Sequence, residues 1–472
     1  MILKQYYLGC LSHASYLVAD EATRRAIVVD PRRDVDEYLA DAMDLGLSIE
    51  GVVNTHFHAD FVAGHLELQA ATGAWIGYGP LADPQYAHRA LADGELLALG
   101  DPESGLVIEA VHTPGHTWES TSLLLRPAGA GSAVEAVLTG DTLFIGDVGR
   151  PDLAAALGAD PLALARAQHA SVARLMRLDD VVRVLPAHGA GSACGKNLST
   201  ELESTIGAQR LMNPLARELP VDDFVELLTS GQPAIPAYFG ADAVLNRAER
   251  ALFEVDGVPS ALDAAGALAA REAGALLIDT RSPEDFAAGH VRGSLNVGLG
   301  GRFAETLGMV ASLGAAVVFV AASVADAGEA RVRAARIGLD GGNGFLMLDG
   351  AARRALSEAG QWGVAARLEP LAAEAAVRSG ALYLDVRNPA EVAEGALPGS
   401  LRIPLAELPR RLAEVPEDLE LVVHCAGGWR SSVAASVLRA AGYGQVSDVL
   451  GGFGALALAV PERVERAAVA AA

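Results

Sequence analysis

The sequence predicts a multidomain α/β protein, and three observations carry that expectation. The chain has 472 residues, too many for one ordinary hydrophobic core, and such a length suggests about three domains. Its first part alternates short apolar runs with helical stretches. Its second part holds a weak internal repeat, spaced by about a hundred residues.

In chain order, Met1 to Val18 reads as strands, because Lys4, Gln5, Ser12 and His13 interrupt what would otherwise be a leader's apolar stretch. Ile27–Asp30 (IVVD), Gly51–Asn54 (GVVN), Ala136–Gly140 (AVLTG) and Val181–Pro186 (VVRVLP) read as buried strands ending in polar residues. Ligand sites collect at such strand ends in layered α/β folds, because loops converge there. Around Asn213 to Asn246 the pattern breaks into GQPAIPAYFGADAVLN, expected to cap the first domain or link it to the second, with a lid over the site as the lesser alternative. The repeat then begins: LIDTR at 277–281 returns as YLDVR at 383–387. Each copy continues with a Gly-containing turn, a β-branched strand, and an Ala/Arg-rich helix ending at Gly338 or Gly442. The Ala-rich last ten residues are expected to fray.

Half the residues (51%) are hydrophobic and a fifth (20%) are charged, the profile of a globular protein. A formal net charge of -23 repels nucleic acid and anionic lipid, so neither is expected as a partner. No run of eighteen apolar residues suggests a membrane span. Three scattered cysteines, Cys10, Cys194 and Cys425, do not make a disulfide framework and fit reducing, cytoplasmic conditions.

The histidines carry the first chemistry. His56, His58 and Asp60 follow a strand pattern and should emerge together at its end. His112 to Thr117 (HTPGHT), Thr139-Gly140-Asp141 and Pro186-Ala187-His188 come later, each at another strand end. Imidazoles and carboxylates so placed suit a catalytic transition-metal site. This set resembles the metallo-β-lactamase fold, which implies an αββα sandwich over residues 1–250 with the site at one edge. Hydrolases of that fold carry HxHxDH and bind two metals, but Phe61 stands at the last position here and cannot ligate.

The remaining pattern is similar to the persulfide dioxygenase branch, including Gly149-Arg150-Pro151-Asp152. That resemblance implies one Fe(II) per dioxygenase domain, held by His56, His116 and Asp141, with positions left for O2 and a sulfur substrate. His58, Asp60 and His188 would orient ligands or water around it. Zinc binds such donors more tightly than Fe(II), so purified protein can hold zinc instead.

Cys425 lies between a strand and a Gly-rich loop, HCAGGWR, that enters a helix at Ser431. Backbone N–H groups there, with Arg430 in the same loop, would stabilise a thiolate or a persulfide anion. With Asp385, Arg387 and the Pro398–Ser400 turn, residues 368–465 resemble the rhodanese (sulfurtransferase) family, whose nucleophile Cys425 matches. In the first copy, residues 260–360, Ala321 falls opposite Cys425 and Asp326 opposite Arg430, so that copy is expected to be inactive. Cys194, six residues after His188 in HGAGSACGKN, has two readings: a sulfur carrier or acceptor near the metal, as the resemblance implies, or a small buried thiol in a tight loop. Cys10 is expected in the core.

Together these resemblances imply oxidation of a low-molecular-weight thiol persulfide by O2 to sulfite. Sulfur transfer through Cys425 to sulfite would then give thiosulfate, a sulfide-detoxifying sequence. A homo-oligomer is compatible with this reading. The alternatives are a glyoxalase II-type thioester hydrolase, which needs the second metal, and a non-enzymatic sulfur carrier or docking protein.

Overall fold

The computed structural model describes residues 1–465 apart from 102, 130 and 313. Residues 466–472, most of the end expected to fray, lie outside the described residues. The chain divides into two compact units, the first built from 1–232, 238–255 and 336–338, the second from 233–237, 256–335 and 339 onward.

In the first unit, two six-stranded sheets stack face to face. One runs in chain order: Ile2–Leu8, His13–Ala19, Arg25–Val29, Ser48–Val53, Trp75–Tyr78 and Arg89–Ala90. The other runs in reverse chain order from Ser204–Thr205 through Arg183–Pro186, Ala136–Gly140, Thr121–Pro127 and Leu106–His112 to Leu96–Ala98. Alternation decides which side chains meet between the sheets: Tyr16, Val18, Ile27 and Val29 pack against Ile108, Ala110, Leu123 and Leu125. The opposite faces bury helices, with Tyr38 and Ala42 of Asp36–Asp44 on the first sheet and Ala165 and Val172 of Pro161–Leu175 on the second. The result is the expected αββα sandwich.

Two sequence readings shift. Val181 is exposed, so the fourth buried strand starts only at Arg183. The irregular stretch before Asn246 contains two helices nearby, Val221–Thr229 and Phe239–Arg247, and the latter packs on the first unit as a cap.

The second unit repeats one topology. The parallel sheets run Ala261–Leu262, Gly342–Met347, Val317–Ala321, Leu276–Asp279, Leu295–Asn296 and then Ala366–Leu368, Val446–Val449, Leu421–His424, Leu382–Asp385, Leu401–Arg402. Register makes the correspondence exact at the site: Asp279 pairs with Val320 as Asp385 pairs with His424. Ala321 therefore occupies the position of Cys425. No helix among the described residues is long and apolar enough to cross a membrane.

Candidate metal centre and sulfur site

The strand Ser48–Val53 ends before the histidines, so His56, His58 and Asp60 lie on a loop of turns and not on an extended strand. The simple alternation that would aim all three at one point is therefore lost. Fixed polar contacts shape the loop instead. Asp30, itself in a left-handed conformation (φ 51), accepts from the Thr55 amide at 2.7 Å and the Thr55 hydroxyl at 2.9 Å. Glu119 accepts from the Phe57 amide at 3.0 Å. Asn246, in the cap helix, donates to the carbonyls of His58 and Phe61, both at 2.8 Å, and accepts from the Ala63 amide at 2.8 Å. Buried groups so paired avoid a desolvation cost of about 1–3 kcal/mol each.

His56, His116 and Asp141 are brought together, all buried, with ligand atoms close enough to share one ion. Asp141 Oδ2 lies 3.8 Å from His56 Nε2 and 3.5 Å from His116 Nε2. Donors each about 2.1 Å from a common ion sit roughly 3–3.5 Å apart. His56 Nε2 and Asp141 Oδ2 are buried without a hydrogen-bond partner, a costly state that a cation relieves. His116 Nδ1 donates to the Arg150 carbonyl at 2.8 Å, which leaves Nε2 with its lone pair free. The residues present fit a metal held by two imidazoles and one carboxylate.

The other sequence candidates surround this triad. His58 Nε2 is 2.9 Å from Asp30 and its ring lies 4.1 Å from that of His56, tilted by 52°. His188 lies between carboxylates, Nδ1 at 2.7 Å from Asp141 and Nε2 at 2.8 Å from Asp60. Burial opposes its charge, but Asp141 and Asp60 overcome burial and hold His188 protonated well above the ordinary histidine range. Burial likewise opposes ionisation of Asp141, yet His188 and His56 hold its carboxyl far below the usual value. Phe61 is fully buried, its ring 4.0 Å from His13 and 4.3 Å from His58, and it offers carbon where the hydrolase pattern has a ligand.

Cys194 is buried beside Asp60 and His188, with donor atoms of all three within 4.8 Å of one another. Burial, with Asp60 and Asp141 nearby, pushes its thiol well up. The Gly149–Asp152 segment ties this loop to the metal triad: Arg150 donates to the carbonyls of Cys194 and Ala193, while its own carbonyl holds His116. Cys10 sits half-buried in the turn between the first two strands, not in the core, because strand pairing ends at Leu8.

A cavity of about 240 Å³ reaches His116 past Phe57, Trp118, Leu153 and Arg247. Sequence reasoning gave no role to Asp30, Glu119 or Asn246. Their only signal is a polar residue in an otherwise apolar context, and nothing in the pattern tells which loop each will hold.

At the sulfur site, Cys425 is almost wholly enclosed (1% exposed) and its Sγ accepts from the Gly428 amide at 3.1 Å. Ser431 Oγ lies 3.7 Å from the same sulfur. The helix begins at Trp429, two residues earlier than expected, because Gly428 turns the loop with φ 95. Arg430, in the same loop, forms a two-point ion pair with Glu391, at 2.7 and 2.5 Å. Asp385 and Arg387 pair at the adjoining strand end, and Arg387 stacks 3.7 Å over Phe453.

Residues 8–188 match the metallo-beta-lactamase superfamily, and residues 263–352 and 369–459 each match the rhodanese-like domain. The chain is a metallo-β-lactamase domain followed by tandem rhodanese domains. A metallo-beta-lactamase structure from Staphylococcus aureus is similar at 29% identity, covering 73% of this chain and 98% of that one with a TM-score of 0.65. A sulfurtransferase of Allochromatium vinosum is 41% identical over 71 residues, which is 15% of the fusion and 66% of that protein. ETHE1 from Myxococcus xanthus aligns at 27% identity over 52% of the fusion and 98% of its own chain, with a TM-score of 0.44. The fusion is an enzyme that joins a hydrolase-type fold to two rhodanese domains, of which the second carries the cysteine.

Proposed function

We propose that the fusion oxidises a low-molecular-weight thiol persulfide and passes sulfane sulfur to the sulfite it makes. The carrying observation is the buried triad of His56, His116 and Asp141, with Phe61 where a second-metal histidine belongs, on the same chain as the enclosed Cys425. Two imidazoles and one carboxylate suit Fe(II) that must keep open positions. Held by His56, His116 and Asp141, Fe(II) would supply O2 activation beside the persulfide substrate.

The chain's own residues prepare that reaction. His188 holds Asp141 Oδ1 and so presents Oδ2 to the triad. The Arg150 carbonyl fixes the His116 tautomer. Phe57, Leu153 and Trp118 give part of the cavity beside His116 an apolar lining. The overall oxidation balances as RSSH + O2 + H2O → RSH + sulfite + 2 H+.

At the second site, Cys425 attacks the outer sulfur of another persulfide and releases the thiol RSH. The Gly428 amide stabilises the resulting persulfide anion. Sulfite then attacks the terminal sulfur, the S–S bond breaks, Cys425 thiolate leaves and thiosulfate forms. The reading places this sulfide-detoxifying enzyme in the reducing cytoplasm, with no nucleic acid or membrane partner.

The test is O2 uptake by Fe(II)-loaded protein with glutathione or coenzyme A persulfide, with sulfite and thiosulfate quantified together. Uptake with thiosulfate as the main product is expected. No uptake with either persulfide, despite bound iron, would defeat the reading, and thioester hydrolysis in its place would favour the hydrolase.

A further inference from the structure

The inactive rhodanese copy has lost its nucleophile but keeps buried groups set against the loop that carries Cys425. Its edge strand, Leu295–Asn296, lies along the helix Trp429–Ala440 of the active copy. The Asn296 amide donates to Ser436 Oγ at 2.9 Å, and Asn296 Oδ1 accepts from Ser432 Oγ at 2.8 Å. The side-chain amide of Asn296 is itself oriented, because its NH2 donates to the carbonyls of Arg281 at 3.0 Å and Asp279 at 3.3 Å. All three polar side chains are buried, so these bonds compete with no solvent.

At the start of the same helix, the Trp429 indole lies on Gly298 and Gly301. A Cβ added to Gly301 would stand 2.7 Å from Trp429 Cζ2, and one added to Gly298 would stand 3.0 Å from Trp429 Cη2. Neither position has room for a side chain. Arg333 fixes this floor by donating to the carbonyls of Leu299 and Gly301, both at 2.8 Å. Trp429 directly follows Gly428, whose amide holds the Cys425 sulfur. A displaced indole must therefore move the sulfur's N–H donor.

We infer that the inactive copy is a positioning domain: Asn296, Gly298 and Gly301 hold Trp429 and its helix so that the Gly428 amide stays on the Cys425 sulfur. The inference rests on the reading of Cys425 as the sulfur-carrying nucleophile. Gly298, Gly301 and Asn296 touch no substrate and act only through the loop. Tightly packed elements transmit such a shift because the interior has no slack to absorb it.

The experiment uses the full chain and compares wild type, Gly301→Ala, and Gly301→Ala combined with Trp429→Phe, whose smaller ring returns the space. The readouts are thiocyanate formed from thiosulfate and cyanide, and the pH profile of Cys425 alkylation by iodoacetamide, followed on its own peptide by mass spectrometry. Gly301→Ala is expected to slow sulfur transfer about tenfold and to move the alkylation profile about one pH unit upward, the loss of one N–H donor to an anion. The double variant should recover most of both, while O2 uptake in the other unit stays at the wild-type rate. Ser432→Ala, which removes only a hydroxyl, covers the case in which Gly301→Ala does not fold, and should shift the profile in the same direction by less. Folded variants with the wild-type profile and rate would overturn the inference. A wild-type protein that makes no thiocyanate would instead overturn the reading of Cys425 on which it rests.

Discussion

His188 does not line the cavity that reaches His116, yet it is hydrogen-bonded to Asp141 on one nitrogen and ion-paired with Asp60 on the other. Removing it leaves Asp141 free to rotate and two buried carboxylates without their shared cation. His188→Asn is expected to weaken Fe(II) binding about 10–100-fold, read by competition with a chelator. An unchanged affinity would mean that the triad is held without it. Two other histidines set a pH dependence. Burial, against the pull of Asp385, pushes His424 down to about 4, from an ordinary value of 6.5. Burial, against the hydrogen bond to the Phe286 carbonyl, does the same to His290, also to about 4. Because both folded values lie below the unfolded one, the unfolded chain binds more protons in that window. Stability is therefore full above about 6.5 and falls as pH drops toward 4, by about 3 kcal/mol for His424. Urea midpoints of the rhodanese unit at pH 7 and 4.5 measure this, and His424→Leu should flatten the difference. Equal midpoints in the wild type would contradict it.

At the scale of elements, both sites depend on a helix or loop closing on a strand end. The helix Gly452–Ala459 donates its first amides to the Cys425 loop, from Phe453 to the Cys425 carbonyl at 2.6 Å and from Gly454 to the Ala426 carbonyl at 3.0 Å. Gly452 permits this approach: its φ is 57 and a Cβ there would lie 2.4 Å from the Cys425 carbonyl oxygen. Gly452→Ala is expected to cost about 1–3 kcal/mol in the rhodanese unit, seen as a lower thermal midpoint. A midpoint equal to wild type would show that the helix can retreat without loss. The cap helix Phe239–Arg247 plays the corresponding part in the first unit, where Asn246 ties down the loop of His58 and Phe61. Asn246→Ala should loosen that loop and reduce iron occupancy after dialysis, with little change in the sulfurtransferase assay.

For the whole molecule, one chain carries a metallo-β-lactamase domain and tandem rhodanese domains, and the proposed function couples them. If sulfite from the first site is the acceptor at the second, Cys425→Ser should leave O2 uptake intact and release sulfite in place of thiosulfate. Unchanged thiosulfate yield from that variant would sink the coupled scheme.

The sequence by itself determined the layered α/β class, the tandem repeat and the identity of the chemical groups. Those properties are local: period-two apolar runs, Gly-punctuated turns, and HxHxD or HCAGG motifs at strand ends. It also marked the first copy as lacking a nucleophile, since Ala321 and Cys425 follow equivalent strands. Tertiary structure alone decided how those groups are paired. Arg430 meets Glu391, Asn246 reaches back to a loop far up the chain, and Gly301 lies under Trp429. Such contacts depend on packing between distant segments, and no local periodicity encodes which buried polar group will meet which.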